Sequence, residues 1–184
     1  MIIEKNNGIT MVALVITIIV LLIIAGISIG TGNKAITNSK LENLKTNMLL
    51  IEVKAKEQIE NANFKLGTNI DKVTEEEKAN RVKSAKDELK GEEILDGNIF
   101  NDNVKITTET IQEENNNNIY YYKLSTQDLI DMGLNNLKSD EKNGYYIVKY
   151  DLKNVTTEIY NTLGFDDNGS VSYTLTELKQ IKLE

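Results

Sequence analysis

The 184 residues hold 21 Lys and Arg against 28 Asp and Glu, a formal charge of −7, and include no Cys, His, Pro or Trp. That excludes a disulfide frame, a thiol nucleophile, a Ser-His-Asp triad and a His-ligated zinc. The acidic balance argues against general binding to nucleic-acid phosphates, and any bend in a helix must come from glycine rather than proline.

The chain opens on a short polar leader, MIIEKNNG, ending at Gly8. From Ile9 to Gly30 follow twenty-two residues without a charge, ITMVALVITIIVLLIIAGISIG, of which three are Leu and eleven are Ile or Val. A helix of this length rises ~33 Å at ~1.5 Å per residue, enough for a hydrocarbon core of ~30 Å. The β-branched content favours a strand in water. In lipid the helix wins because it pairs its own backbone groups. The run therefore predicts a membrane-spanning helix.

The join KNNG/ITMVALVITIIVLLIIAGISI resembles the class III signal of type IV pilins and pseudopilins, here of the Gram-positive type. The resemblance is close over roughly the first thirty residues. It implies that a prepilin peptidase cuts between Gly8 and Ile9 and that the new amine on Ile9 is N-methylated. It implies further that Ile9, Ala13, Ile16, Val20, Ile24 and Ile27 lie on a helix that serves first in the membrane and then in a filament core. The partners so implied are the membrane, other pilin-like subunits, the peptidase and the pilus assembly machinery. No cofactor and no nucleic-acid partner are expected. The family position that carries a glutamate inside the apolar run is Ala13 in this chain, which points to a minor rather than a major subunit.

Two other readings stay open on the residues alone: an uncleaved signal anchor bearing a ligand-binding domain, and a secretory signal cut near Ala25 or Ser28. Lys34, Lys40 and Lys45 follow the run, so the positive-inside count does not itself place the N-terminus inside. The family resemblance places the C-terminal part outside, at the cell surface.

Gly30 and Gly32 cost a helix ~1 kcal/mol each. The helix either ends there in a loop or continues through a point where it can bend or melt, as the resemblance implies. From residue 31 to 63 an apolar stripe of Ile36, Leu41, Leu44, Met48, Ile51, Ala55, Ile59 and Ala62 recurs at helical spacing. Leu49, Leu50 and Val53 are expected to widen it. The stripe is the face that docks on a C-terminal domain, residues 64–184, or less simply a coiled-coil seam. The helix is expected to end near Asn63, with Gly67 beyond as punctuation.

Thr74-Glu75-Glu76-Glu77 opens a surface helix as a capping box, with Ala79, Val82, Ala85 and Leu89 on its apolar side and Gly91 as its stop. Ile94-Leu95 and Ile99-Phe100 flank Asp96-Gly97-Asn98 as a tight turn. Val104, Ile106, Thr108 and Thr110 alternate as a strand, and Asn115 to Asn118 is an exposed loop. Ile119–Leu124 is a strand, and Ser125 caps a short helix closed by Gly133. Tyr145–Asp151, Val155–Asn161 and Ser170–Thr174 form a meander, with Asn168-Gly169 as a hairpin turn. Thr174 and Glu177 make a second capping box over Leu175, Leu178 and Ile181.

The fold class expected is thus α+β and pilin-like: a long N-terminal helix packed on an antiparallel meander. No nucleophile–base pair is visible, and no enzyme activity is expected. Asp166, Asp167 and Asn168 are a weak calcium candidate, better explained by turn chemistry. Tyr120–Tyr122, Tyr145, Tyr146, Tyr150 and Tyr173 offer either a sugar-binding face or, more simply, cross-strand pairs.

Overall fold

The computed structural model describes the backbone of residues 11–100 and 104–182, and within these the side chains from Ala35 onward. Its elements are α1 (Met11–Leu66), α2 (Glu75–Lys86), β1 (Glu92–Glu93), α3 (Thr108–Asn116), β2 (Ile119–Leu124), α4 (Thr126–Asp131), β3 (Tyr146–Asp151), β4 (Thr156–Asp167), β5 (Ser170–Thr174) and α5 (Leu175–Leu178). Short 3-10 turns lie at Ile70–Lys72 and Gly97–Ile99. The chain divides into two compact units, Met1–Lys40 and Leu41–Glu184.

In the first unit the described backbone is helical from Met11 onward, through Gly30 and Gly32. The reading of a helix end at those glycines therefore does not hold. In the second unit five strands form one antiparallel sheet in the order β1-β2-β3-β4-β5. The fold is α+β, with a long N-terminal helix and an antiparallel meander.

Strand β3 is central and buried on both faces, which its residues anticipate. Tyr146, Val148 and Tyr150 point into one core, shared with Met48, Ile51, Ala55 and Ile59 of α1. Ile147 points into the other, with Ile94, Phe100, Ile111, Tyr121 and Tyr160. A two-residue alternation normally leaves one face wet. Here α3 and the turn before it cover the second face, so a single strand serves two apolar layers.

That second layer corrects two expectations. Val104 to Thr110 is not a strand: Thr107 caps α3, its side chain accepting from Thr110 N, and the helix buries Ile111 completely. Threonine suits a strand and a helix cap alike, and capping decides when the following turn can bury one large residue. The Asp96-Gly97-Asn98 segment is a tight turn as expected, but Ile94-Leu95 and Ile99-Phe100 on its two sides are not strands. Asp96 accepts from Asn98 N at 2.9 Å and starts a 3-10 turn that lays Phe100 against Tyr121 and Tyr160, at centroid distances of 5.6 and 5.8 Å. The asparagine run is no simple loop: its first residues finish α3, and Asn118 is buried at φ 62°.

Elsewhere local chemistry and structure agree. Ser125 with Asp128, and Thr174 with Glu177, form complete capping boxes. Thr74 accepts from Glu77 N as expected, and α2 stops at Lys86, before Gly91. α1 runs to Leu66, past Asn63, and is closed by Gly67 at φ 72°. Asn168 (φ 54°) and Gly169 (φ 92°) make the two-residue turn between β4 and β5, the backbone a primed hairpin turn demands.

Candidate functional site

Within Leu41–Leu66, α1 presents two unlike sides. Leu41, Met48, Ile51, Ala55, Ile59, Ala62 and Leu66 are at most 1% exposed and sit in the main core. Their three- and four-residue spacing keeps them on one side of the cylinder. Leu49, Leu50 and Val53 do not widen this stripe, as the sequence suggested. At 100° per residue they fall on the opposite side, where they are 40%, 43% and 64% exposed. Phe64 follows on that same side and is 81% exposed. An apolar residue on an amphipathic helix does not announce which partner it meets, so composition alone placed these on the docked face.

Polar contacts border the docked side on both flanks and fix the helix against β3 and the residue that follows it. Asn47 Nδ2 donates to the Tyr146 hydroxyl at 3.4 Å, the Tyr150 hydroxyl donates to Gln58 Oε1 at 2.6 Å, and Asn63 Nδ2 donates to the Leu152 carbonyl at 2.6 Å. From Asn47 to Asn63 the helix rises ~24 Å, and from Tyr146 to Leu152 the strand advances ~20 Å. The two elements therefore run nearly side by side in the same direction. Burial drives the Tyr150 hydroxyl far above its ordinary pKa, so it stays a neutral donor.

The end of the chain is tied to the same helix. Lys179 reaches Glu52 at 3.2 Å, and Lys45 Nζ donates to the Ile181 carbonyl at 3.4 Å. Burial works against the Glu52 carboxylate, but the hydrogen bonds and charges of Lys179 and Lys56 outweigh it and hold its pKa below the ordinary value. Glu52 and Lys56, one helical turn apart, pair at 3.2 Å, a spacing the sequence itself displays. The link to Lys179 across 127 residues had no local signal.

The other predicted site residues divide as follows. Gly8 and Ile9 lie outside the described residues. Ala13, Ile16, Val20, Ile24, Ile27, Gly30 and Gly32 fall on helical backbone, with side chains outside the described set. Among the described residues no helix is long and apolar enough to cross a membrane; the Ile9–Gly30 side chains are not among those described. Asp166 and Asp167 serve the hairpin: Asp166 Oδ1 accepts from Gly169 N at 2.7 Å, and Asp167 Oδ1 accepts from Asn168 Nδ2 at 3.1 Å. Among the described residues no acidic cluster suited to a metal is present.

The tyrosines do not form an exposed platform. Tyr120, Tyr121, Tyr122, Tyr146, Tyr150 and Tyr173 are buried, and Tyr145 is half-buried. Tyr122 packs edge-on to Tyr150 at 5.8 Å, a pairing that stabilises neighbouring strands. Desolvation, with Glu93 nearby, pushes the Tyr120 hydroxyl up to about 12. A groove of about 610 Å³ lies beside Phe64, Gly67, Asn69, Asp71 and Lys153.

Nothing matched. Neither the protein-family models, nor the curated proteins, nor the solved structures yield a relative for this chain. What the chain does is therefore argued from its own residues.

Proposed function

We propose that this chain is a structural subunit of a type IV pilus-like or type II secretion-like filament, most simply a minor pilin or pseudopilin, with no catalytic role of its own. A prepilin peptidase removes residues 1–8, and the amine of Ile9 is methylated. The uncharged helix then waits in the cytoplasmic membrane, with residues 64–184 outside, until assembly machinery draws it into the filament. There, neighbouring helices replace lipid around Ile9–Ile29. Lipid tails are as apolar as these side chains, so exchange is driven by close packing rather than by escape from water. Gly26, Gly30, Ala13 and Ala25 let helices approach closely.

The observation that carries this reading is the glycine-ended leader abutting an uncharged run of twenty-two residues. The fold supports it, since the outer part of the same helix docks on an antiparallel meander by one side only. The opposite side keeps Leu49, Leu50 and Val53 free for neighbouring subunits. Ala13 in place of the acid leaves helix register to shape rather than to a buried ion pair.

The test is the Gly8→Val variant. A bulky residue at the cut site is expected to leave the leader on the chain and keep it out of the filament fraction. Unchanged processing would instead favour the second reading, a signal-anchored surface domain that binds a ligand and does not polymerise. The groove beside the exposed Phe64 keeps that second reading in view.

A further inference from the structure

Two Asn-Gly pairs occur among the described residues, Asn143-Gly144 and Asn168-Gly169. By sequence they are equivalent; the fold sets them apart. We infer that Asn168 is a site of spontaneous deamidation in the folded protein, and that Asn143 is protected from the same reaction.

The chemistry needs only the chain and water. The backbone nitrogen of the following glycine attacks the asparagine side-chain carbon, a C–N bond forms, and ammonia leaves to give a cyclic imide. Water then opens the imide at one of its two carbonyls, giving aspartate or its isomer with the backbone routed through the side chain. Glycine favours the attack because no side chain shields its nitrogen. The limiting factor is whether the backbone can bring nitrogen and carbon together.

At Asn143 several bonds oppose that motion. Its own N–H and its side-chain Nδ2 both donate to Asp140 Oδ1 at 2.8 Å. Its carbonyl accepts from Asn161 Nδ2 at 3.2 Å. Gly144 is buried, forms a strand bridge to Asp140, and lies against the Asn161 carboxamide with no room for even a methyl group. Attack here first requires the buried Asn161 to be displaced.

At Asn168 far less must open. The residue and Gly169 are exposed, and nothing lies within 4 Å of the position a Gly169 side chain would take. The Gly169 nitrogen is held by one bond, to Asp166 Oδ1 at 2.7 Å, and the Asn168 side chain by one, to Asp167 at 3.1 Å. Both bonds are at the surface, where water replaces them at little cost.

The two products differ in consequence. Aspartate keeps the turn, because it tolerates a left-handed backbone about as well as asparagine. The isomer adds a backbone atom to a two-residue loop whose length sets the Asp167–Ser170 pairing. It therefore loosens β5 from β4 near the turn. Either product adds a negative charge beside Asp166 and Asp167.

The test ages the full-length, detergent-extracted protein in mildly alkaline buffer and follows both peptides by mass spectrometry, scoring amide-to-acid conversion. Asn168 is expected to convert more than about tenfold faster than Asn143, the ratio that a ~1.4 kcal/mol difference in local opening gives. Asn161→Ala, which unlocks Gly144, is expected to raise the Asn143 rate and leave the Asn168 rate unchanged. Unfolding in denaturant is expected to bring the two rates together. Equal rates in the folded protein, or Asn143 converting first, would overturn the inference. The outcome is independent of leader cleavage, so it stands or falls apart from the filament reading.

Discussion

Asn161 fills the space that any residue larger than glycine at position 144 would need, and Gly144 also holds a left-handed backbone at φ 80°. The same carboxamide accepts from Leu163 N at 3.1 Å and Gly164 N at 3.0 Å, and donates to the Asn143 carbonyl. Between Tyr160 and Phe165, β4 has four residues where β5 has one, between Ser172 and Thr174. One buried side chain, 1% exposed, thus holds the entry to β3 and the irregular stretch of β4 together.

Gly144→Ala is therefore expected to cost about 2 kcal/mol or more, from backbone strain plus collision. Asn161→Ala is expected to cost a similar amount, by emptying a buried site and leaving the part-buried N–H groups of Leu163 and Gly164 without their partner. Because both act on one contact, the double variant should lose less than their sum. Thermal melting followed by tyrosine near-ultraviolet dichroism checks this. Fully additive losses would mean that the two residues are not coupled.

Neighbouring positions on α1 should behave oppositely. Ile51→Ala removes a fully buried side chain and is expected to cost ~2–5 kcal/mol. Leu50→Ala touches an exposed side chain and should change stability by less than ~0.5 kcal/mol. If the outer side of α1 meets neighbouring subunits, Leu50→Asp and Val53→Asp should leave the melting curve nearly unchanged and lower recovery in sheared filaments. Equal recovery would free this face of any assembly role.

Glu52 makes the C-terminal docking sensitive to acid. Its folded pKa lies below the unfolded one, so its ionised form is the one the fold stabilises. That contribution is present above the ordinary carboxylate range and is lost as pH falls through the lowered folded value. Hydrogen-exchange protection of α5 is expected to fall over that acid window. Glu52→Gln should weaken protection at neutral pH and flatten the change. Lys179 is half exposed, so the effect is confined to this end of the fold and leaves global stability nearly untouched.

Where the sequence carried a complete local instruction, it foretold the structure. Asn168-Gly169, Ser125 and the Thr174/Glu177 box each specify a backbone within four residues, and each forms as expected. The alternation of Tyr146, Val148 and Tyr150 against Ile147 likewise gave β3 its two faces. The failures share a different cause. Thr107 to Thr110 had to choose between strand and cap, and Ile111 finding Tyr121 across the sheet decided it. Leu49, Leu50 and Val53 are apolar without being docked, and hydrophobicity does not say against what. The tyrosines took the simpler of their two readings: Tyr122 packs on Tyr150 from the neighbouring strand, and the burial of the set leaves no exposed sugar-binding face. The lock of Gly144 under Asn161 had no sequence signal at all, since it joins the entry to β3 with a residue inside β4 seventeen positions on.

The claim on which the functional account rests is that the natural chain loses its first eight residues while keeping its apolar helix. Intact-mass and N-terminal peptide analysis of the protein taken from its native membrane and from sheared surface material tests this most directly. The account predicts a chain beginning at N-methylated Ile9 in both fractions. A chain still beginning at Met1, or one cut beyond Ala25 and free of both membrane and filament, would contradict it.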